Sequence, residues 1–224
     1  MKNMVMGLGQ IGGRAPGETS AGVFLLMWVI MMTAMMLPTI APIVVAHLAV
    51  MRGQGGGFHL TIVFIVGYLA VWSAIGVLPL TAYRAFAQLT DDAARSHWLP
   101  ALAGSILIFA GAYQFTTWKY FCFERCQSPF AFIASHNLSA GALNALRAGV
   151  VHGLFCLGCC WALTSVLLVV GLMNLLWMVA IFVLLFVERT WKHGLVLTQT
   201  AGVSLMILGA GVIAWPAVLA WISL

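Results

Sequence analysis

Long apolar runs separated by short polar connections dominate the pattern of this chain. A helix of ~20 apolar residues satisfies its own backbone hydrogen bonds and is long enough to cross a bilayer. We count six such runs, of which the fifth is the shortest. The pattern therefore predicts an all-α protein, a polytopic transmembrane helix bundle of about six spans. The predicted spans cover about residues 21–47, 58–83, 98–117, 143–170, 173–187 and 195–221.

Two features modify this simple series of spans. Pro38 and Pro42 remove two backbone donors from the first span, so we expect the first helix to be kinked. Between the third and fourth spans, residues 118–144 mix aromatic with polar side chains, which predicts one amphipathic helix lying in the membrane interface. We interpret residues 1–20 as a polar leader and residues 21–224 as a single transmembrane helical domain.

Composition supports an integral membrane protein. Hydrophobic residues make up 63% of the 224 residues and charged residues only 7%, and the mean hydropathy is +1.06. The net charge of +5 comes from ten Lys and Arg spread through the connections, without a basic run, so we expect no nucleic-acid partner. The leader lacks a continuous apolar core, which indicates no cleaved signal peptide. Six of the ten basic residues lie on the cytoplasmic side if the amino terminus is outside.

The fourth span carries the strongest candidate chemistry. Cys156, Cys159 and Cys160 follow His152 by four, seven and eight residues, which returns all four side chains toward one helix face. Thiolate and imidazole ligands suit soft or borderline metal ions. Ionisable groups are costly at membrane depth, so this cluster is a candidate metal site. The alternative is that the cysteines pack as small hydrophobic residues.

The first span adds thioethers. Five of the twelve methionines fall within residues 27–36, and Met32 and Met36 lie one turn apart on one side of the helix. Thioethers select Cu(I) among the soft metals, but methionine is also a flexible filler of apolar interiors.

Cys122 and Cys126 lie four residues apart in the connection between the third and fourth spans, so they share a face of the predicted interfacial helix. Their spacing is compatible with a metal site, with a redox pair and with two buried thiols that only pack.

The chain resembles a bacterial family of predicted metal-binding integral membrane proteins of unknown function, from about residue 21 to residue 215. The resemblance implies a multi-pass protein of the bacterial inner membrane with a role in metal binding. The segments that carry it are the Met-rich first span with Pro38 and Pro42, the connection with Tyr113-Gln114, Lys119, Cys122, Cys126 and Ser128-Pro129, the run His152-Gly153-Leu154-Phe155-Cys156-Leu157-Gly158-Cys159-Cys160-Trp161-Ala162-Leu163, and Gly171–Met178 with Glu188.

We therefore expect a soft transition metal, copper as Cu(I) rather than zinc, to be bound for transport, storage or delivery to a membrane cuproenzyme. A metallochaperone is a second candidate partner. The predicted metal ligands are His152, Cys156, Cys159, Cys160, Met32, Met36, Cys122 and Cys126.

Two other functions stay open: a membrane thiol–disulfide oxidoreductase that uses the same cysteines, and a structural or assembly subunit of a membrane complex. The sequence has no Ser/His/Asp arrangement, phosphate-binding loop or paired carboxylates in a span, so hydrolysis and nucleotide chemistry are not predicted. A haem is also not predicted, because His47 and His152 have no obvious partners within the spans.

Overall fold

The computed structural model describes residues 21–53, 58–82, 98–127, 141–170, 175–191 and 193–215. Within these ranges the chain forms seven helices and no strand, which confirms the all-α prediction. The helices are α1 (Ala21–Gly53), α2 (Phe58–Ile75), α3 (Trp98–Tyr113), α4 (Thr117–Gln127), α5 (Ala142–Val170), α6 (Leu175–Thr190) and α7 (Gly194–Ala214).

Four of the seven described helices are long and apolar enough to cross a membrane: α1, α2 with its continuation to Ala82, α5 and α7. Helix α3 is apolar but shorter. Helix α1 stays helical through Pro38 and Pro42 and ends at Gly53, six residues beyond the predicted end at His47. Cys156 lies at the middle of α5, with fourteen residues of the helix on either side.

Some sequence predictions lie outside the described residues. They concern the polar leader (residues 1–20), the connection at residues 84–97, the turn at residues 171–174 and the end of the sixth span (residues 216–221).

Two compact units share the chain. One comprises Leu25–Val77 and Thr117–Cys159, and we call it the imidazole unit because it holds two fully buried histidines, His47 and His152. The second unit comprises the rest of the chain, from Leu78 to Thr116 and from Cys160 onward, together with the residues up to Phe24.

In the imidazole unit, α1 and α2 run antiparallel. The indole N–H of Trp28 donates to the carbonyl of Trp72 at 2.9 Å, and His47 Nδ1 lies 3.0 Å from Thr61 Oγ1. These two contacts lie near opposite ends of the helix pair. They therefore fix the register of α1 against α2.

Glycines bring α2 and α5 into backbone contact. Gly149 lies against the backbone of Phe64 and Tyr68, and Gly67 lies against the backbone of Leu146 and Val150. A Cβ at either glycine would collide with main-chain atoms, which cannot move aside as a flexible side chain can. Small residues of this kind allow close helix packing inside membranes.

The second unit uses the same device at different positions. Gly104 and Gly111 of α3 lie against the carbonyls of Gly209 and Gly202 of α7. The pairs are seven residues apart on each helix, so the two backbones stay close over two turns. Thr198 of α7 donates a hydrogen bond to the buried carboxylate of Glu188 on α6.

We expect Gly149→Ala to lower the stability of the protein by about 1–3 kcal/mol, because the added methyl group forces α2 and α5 apart. Gly211→Ala is the matched control: nothing lies within 4 Å of its added Cβ, so the better helix propensity of Ala should leave stability equal or higher. Thermal unfolding of the detergent-purified variants measures both. Equal melting temperatures for Gly149→Ala and wild type would contradict the packing described here.

Candidate metal centre

A row of buried side chains runs through the imidazole unit. The ring of His47 stacks on Phe64, with centroids 4.9 Å apart and planes 22° apart. Phe64 lies 6.1 Å from the ring of His152, which in turn lies 5.9 Å from the ring of Tyr68. The Tyr68 hydroxyl is 3.0 Å from Cys156 Sγ. All five side chains are fully buried, so an imidazole and a thiol lie next to each other along α5 in an apolar interior.

Hydrogen bonds hold the thiols of Cys156 and Cys159. Either the Tyr68 hydroxyl or the Cys156 thiol can be the donor of the bond between them. Cys159 Sγ donates to the Cys156 carbonyl at 3.1 Å, a local bond within α5. Cys159 is thus fixed one turn beyond Cys156.

Helix α4 adds a third thiol and a buried ammonium group. Lys119 is only 2% exposed, and its Nζ donates to the Cys159 carbonyl at 2.5 Å. Cys122 Sγ lies against Gly158, so close that a Cβ on this glycine would be 2.7 Å from the sulfur. Gly158 directly precedes Cys159, so Cys122 lies beside the segment of α5 that carries Cys159 and accepts the Lys119 hydrogen bond.

Aromatic contacts hold the other side of α4 on α5. The ring of Phe121 meets Phe155 edge to face at 6.0 Å. The guanidinium of Arg125 lies over both rings, 4.9 Å and 5.6 Å from their centroids. Each such contact contributes about 0.5–1 kcal/mol at exposed sites. Helix α4 is thus held against α5 on both sides of Cys122.

Burial raises the pKa of the Cys122 thiol above the ordinary value of 9.0, and the neighbouring Cys159 raises it further. The Lys119 ammonium acts in the opposite direction and lowers the pKa. The net effect is a rise, so Cys122 is a protonated thiol at neutral pH.

Met32 and Met36 lie in the interior at a related depth. Both are fully buried, and on α1 they fall between Trp28 and His47, the residues that contact Trp72 and Thr61 of α2. Tyr68 falls between the same two contacts on α2. The two thioethers of α1 and the ring of Tyr68 therefore lie between the same pair of contacts that join α1 to α2. Tyr68 is the residue that contacts Cys156.

A family model described as a copper chaperone, PpoB2, matches residues 25–212. The chain belongs to the PpoB2 family of copper chaperones. This match confirms the sequence-based prediction of a copper-related protein. No curated protein and no solved structure matches the chain.

The structure places the eight predicted ligands of this PpoB2 family member as follows. All eight side chains are buried. Cys122, Cys156 and Cys159 lie in the imidazole unit with His152, and Cys126 lies one turn beyond Cys122 on the same buried face of α4. Cys160 is the first residue of the second unit's last segment. None of the five cysteines, which all lie in described helices, forms a disulfide. The described residues contain no group of three or more His, Cys, Asp and Glu side chains arranged to hold a metal ion.

Sequence reasoning missed Lys119 and Tyr68 as parts of this centre. Lys119 precedes Cys122 by three residues, so the helical spacing already places the ammonium on the face of the thiol. Nothing comparable identifies Tyr68, because its contact with Cys156 joins residues 88 positions apart. His47, for which no partner within the spans was expected, contacts Thr61 and Phe64 of α2.

The raised pKa of Cys122 predicts a shifted alkylation profile in copper-free protein. Only the thiolate reacts, so the rate at Cys122 should rise with pH to a midpoint above 9.0. Cleavage after Lys119 and Arg125 releases residues 120–125, in which Cys122 is the only cysteine, so mass spectrometry can follow this site alone. A small thiol of ordinary pKa in the same reaction serves as control. A midpoint below that of the control would contradict the apolar setting of Cys122.

Proposed function

We propose that this protein binds Cu(I) inside its helix bundle and delivers it to a membrane cuproenzyme, either directly or by way of a metallochaperone. The observation that carries the proposal is that Cys122 of α4 lies against Gly158 of α5, next to Cys159, whose carbonyl accepts a hydrogen bond from the buried ammonium of Lys119. The family to which the chain belongs supports copper as the metal.

Charge explains why a lysine belongs in such a centre. When two thiols bind one Cu(I), both release their protons, and the two thiolates with the cation carry a net charge of −1. An uncompensated charge is costly in an apolar interior. The Lys119 ammonium supplies the opposite charge, so the loaded centre is neutral. In the empty centre its bond to the Cys159 carbonyl stabilises the ammonium.

The remaining predicted ligands take part as neighbouring donors. Cys156 and His152 supply a further thiol and an imidazole on α5. Met32 and Met36 supply uncharged thioethers on α1, which bind more weakly than thiolates. Cys126 adds a thiol one turn beyond Cys122 on α4, and Cys160 is the next residue after Cys159 in the chain. Such a gradation from thioether to thiolate suits an ion that must be accepted and released again. Zinc is less suited, because it prefers a closed set of four nitrogen and sulfur ligands.

We further propose that the chain forms one multi-pass domain of six spans in the bacterial inner membrane, with the amino terminus outside. Helices α3 and α6 supply the two shorter crossings, α1 bends at Pro38 and Pro42, and α4 lies in the interface. Large apolar side chains that face outward from the long helices support this placement, because they match lipid rather than water. Examples are Leu26 and Ile30 on α1, Val66 on α2, Leu154 on α5 and Ile207 on α7.

The position of Cys122 against Gly158, next to Cys159, also favours a second candidate, a membrane thiol–disulfide oxidoreductase. The raised pKa of Cys122 argues against it, because a nucleophilic cysteine needs a lowered pKa. The two functions differ in what protects the thiols from alkylation: Cu(I) protects a metal site and a chelator exposes it, whereas an oxidant protects a redox pair.

The thiol pair predicts how copper is retained. We expect detergent-purified wild-type protein to hold on the order of one equivalent of Cu(I) against a competing chelator, since thiolates bind this ion tightly. The double variant Cys156→Ser/Cys159→Ser should lose that tightly held ion. Elemental analysis after chelator treatment measures both.

Ser165→Ala is the control for this experiment, because it changes a partly buried side chain on the same helix, outside the thiol cluster. Less than one equivalent of copper in wild type, unchanged in the double cysteine variant, would reject the proposed function. Full activity of the complex that the protein joins, retained after the cysteines are changed to alanine, would favour the structural-subunit alternative.

Lys119→Met tests the charge compensation. The variant should bind Cu(I) about tenfold more weakly, because a group beside the ligands that tunes them is lost. Its copper-free stability should change little, since an apolar side chain of similar volume often replaces a buried charge without cost. Arg52→Met is the control: the same unit loses an exposed positive charge at the end of α1, and copper affinity should stay that of wild type. Competition titration gives the affinities, and unchanged binding by Lys119→Met would remove the lysine from the centre.

A further inference from the structure

His47 is a buried imidazole that the thiol centre does not use. It lies in the last part of α1, is 0% exposed, and stacks on Phe64 of α2. One of its ring nitrogens, Nδ1, lies 3.0 Å from Thr61 Oγ1. The side chain is thus fixed in both position and ring orientation.

The other ring nitrogen of His47 has no such partner. Nε2 is buried and meets no hydrogen-bond partner among the residues that the structure describes. Leaving a buried polar atom unsatisfied costs about 1–3 kcal/mol. Metal-binding histidines have this arrangement, because a second residue holds one ring nitrogen and leaves the other to the metal. When Nδ1–H donates to Thr61, Nε2 carries the lone pair that a metal needs.

A thioether lies on the same helix face as this imidazole. Met51 follows His47 by four residues on α1, so the two side chains share a helix face. Met51 is 1% exposed and packs in the same apolar cluster as Phe64, the residue on which His47 stacks. Imidazole and thioether together form a donor pair that suits Cu(I).

We propose that His47 Nε2 and Met51 Sδ form a second Cu(I) site, with Thr61 as the residue that positions the imidazole. This inference rests on the proposed function, because it takes Cu(I) to be the ion that the protein carries. Both ligands are uncharged, so the site binds the ion more weakly than a thiolate pair does. It acts as a transit site rather than as the place of storage.

The second site lies at a different depth from the thiols. The cluster that contains Met51 and Phe64 also contains Ala145 and Ala148 of α5, whereas Cys159 of the thiol pair lies eleven residues beyond Ala148. At ~1.5 Å per residue, this separates the two sites by about 16 Å along the helix. Phe64 and His152 lie between them in the row described above. Both sites therefore lie inside one unit.

The experiment uses full-length protein with His152→Gln and with all five cysteines changed to serine, which removes the imidazole and thiols of the first centre and leaves the second site. Anaerobic equilibrium dialysis with Cu(I) measures binding without a competing chelator, and X-ray absorption at the copper edge identifies the ligand atoms. We expect a remaining Cu(I) with both nitrogen and sulfur neighbours. His47→Phe, which keeps an aromatic ring on Phe64, and Met51→Leu should each weaken this binding about tenfold or more.

His59→Phe is the matched control, because His59 is an exposed histidine near the start of α2. It should bind Cu(I) as its parent does. Thr61→Val should weaken binding and Thr61→Ser should restore it, which a purely structural role of His47 does not predict. If His47→Phe fails to fold, the nitrogen neighbour in the parent and the affinities of the Met51 and Thr61 variants decide the question.

The outcomes separate this inference from the proposed function. If the parent shows no nitrogen neighbour, or if His47→Phe and Met51→Leu bind Cu(I) as the parent does, the second site does not exist and the thiol centre is unaffected. If wild-type protein with all five cysteines binds no Cu(I), both proposals fall.

Discussion

The backbone contact between α2 and α5 is the constraint on which the imidazole unit depends. Gly67 and Gly149 allow the two helices to approach until main-chain atoms touch. This approach brings Phe64 and Tyr68 of α2 against His152 and Cys156 of α5. Larger residues at the glycines would keep the helices intact but move the aromatic rings away from the donors. The contacts of His152 and Cys156 with the rings of α2 therefore depend on two glycines, because only a residue without a side chain allows this approach.

The apolar surroundings of the thiols have two effects. They keep Cys122 protonated, because burial raises its pKa, and a protonated thiol is a poor nucleophile and resists oxidation. They also make any charge in the centre costly unless it is paired. In the copper complex that we propose, a cation that replaces the protons beside Lys119 would resolve both effects together, because the positive lysine then balances the negative charge of the thiolates and the metal.

Much of the architecture could be predicted from the sequence, since long apolar helices follow from the length of the apolar runs. The all-α fold, the helix that carries Cys122 and Cys126, and the relation to a metal-binding family are examples. Helix ends were less predictable: α1 continues past His47 to Gly53, because the residues after His47 do not include a helix breaker before the glycines.

The contacts of the site could be predicted only where they are local. The spacing of His152, Cys156 and Cys159 places them near one face of a single helix, and the structure has them on α5 as expected. The contacts of Tyr68 with Cys156 and of His47 with Phe64 join different helices. They depend on which faces of α1, α2 and α5 meet, and the nearly uniform hydrophobicity of these helices does not reveal this.

The position of Cys156 at the middle of α5 has an electrical consequence. Helix α5 has 29 residues and is about 43 Å long, against roughly 30 Å for the hydrocarbon core. If the helix is centred in the bilayer, Cys156 lies near the midplane. A monovalent cation that moves from either surface to this depth crosses about half of the membrane potential, worth about 1.2 kcal/mol per 100 mV. Loading from one side would then be favoured by the voltage, and loading from the other side would be opposed.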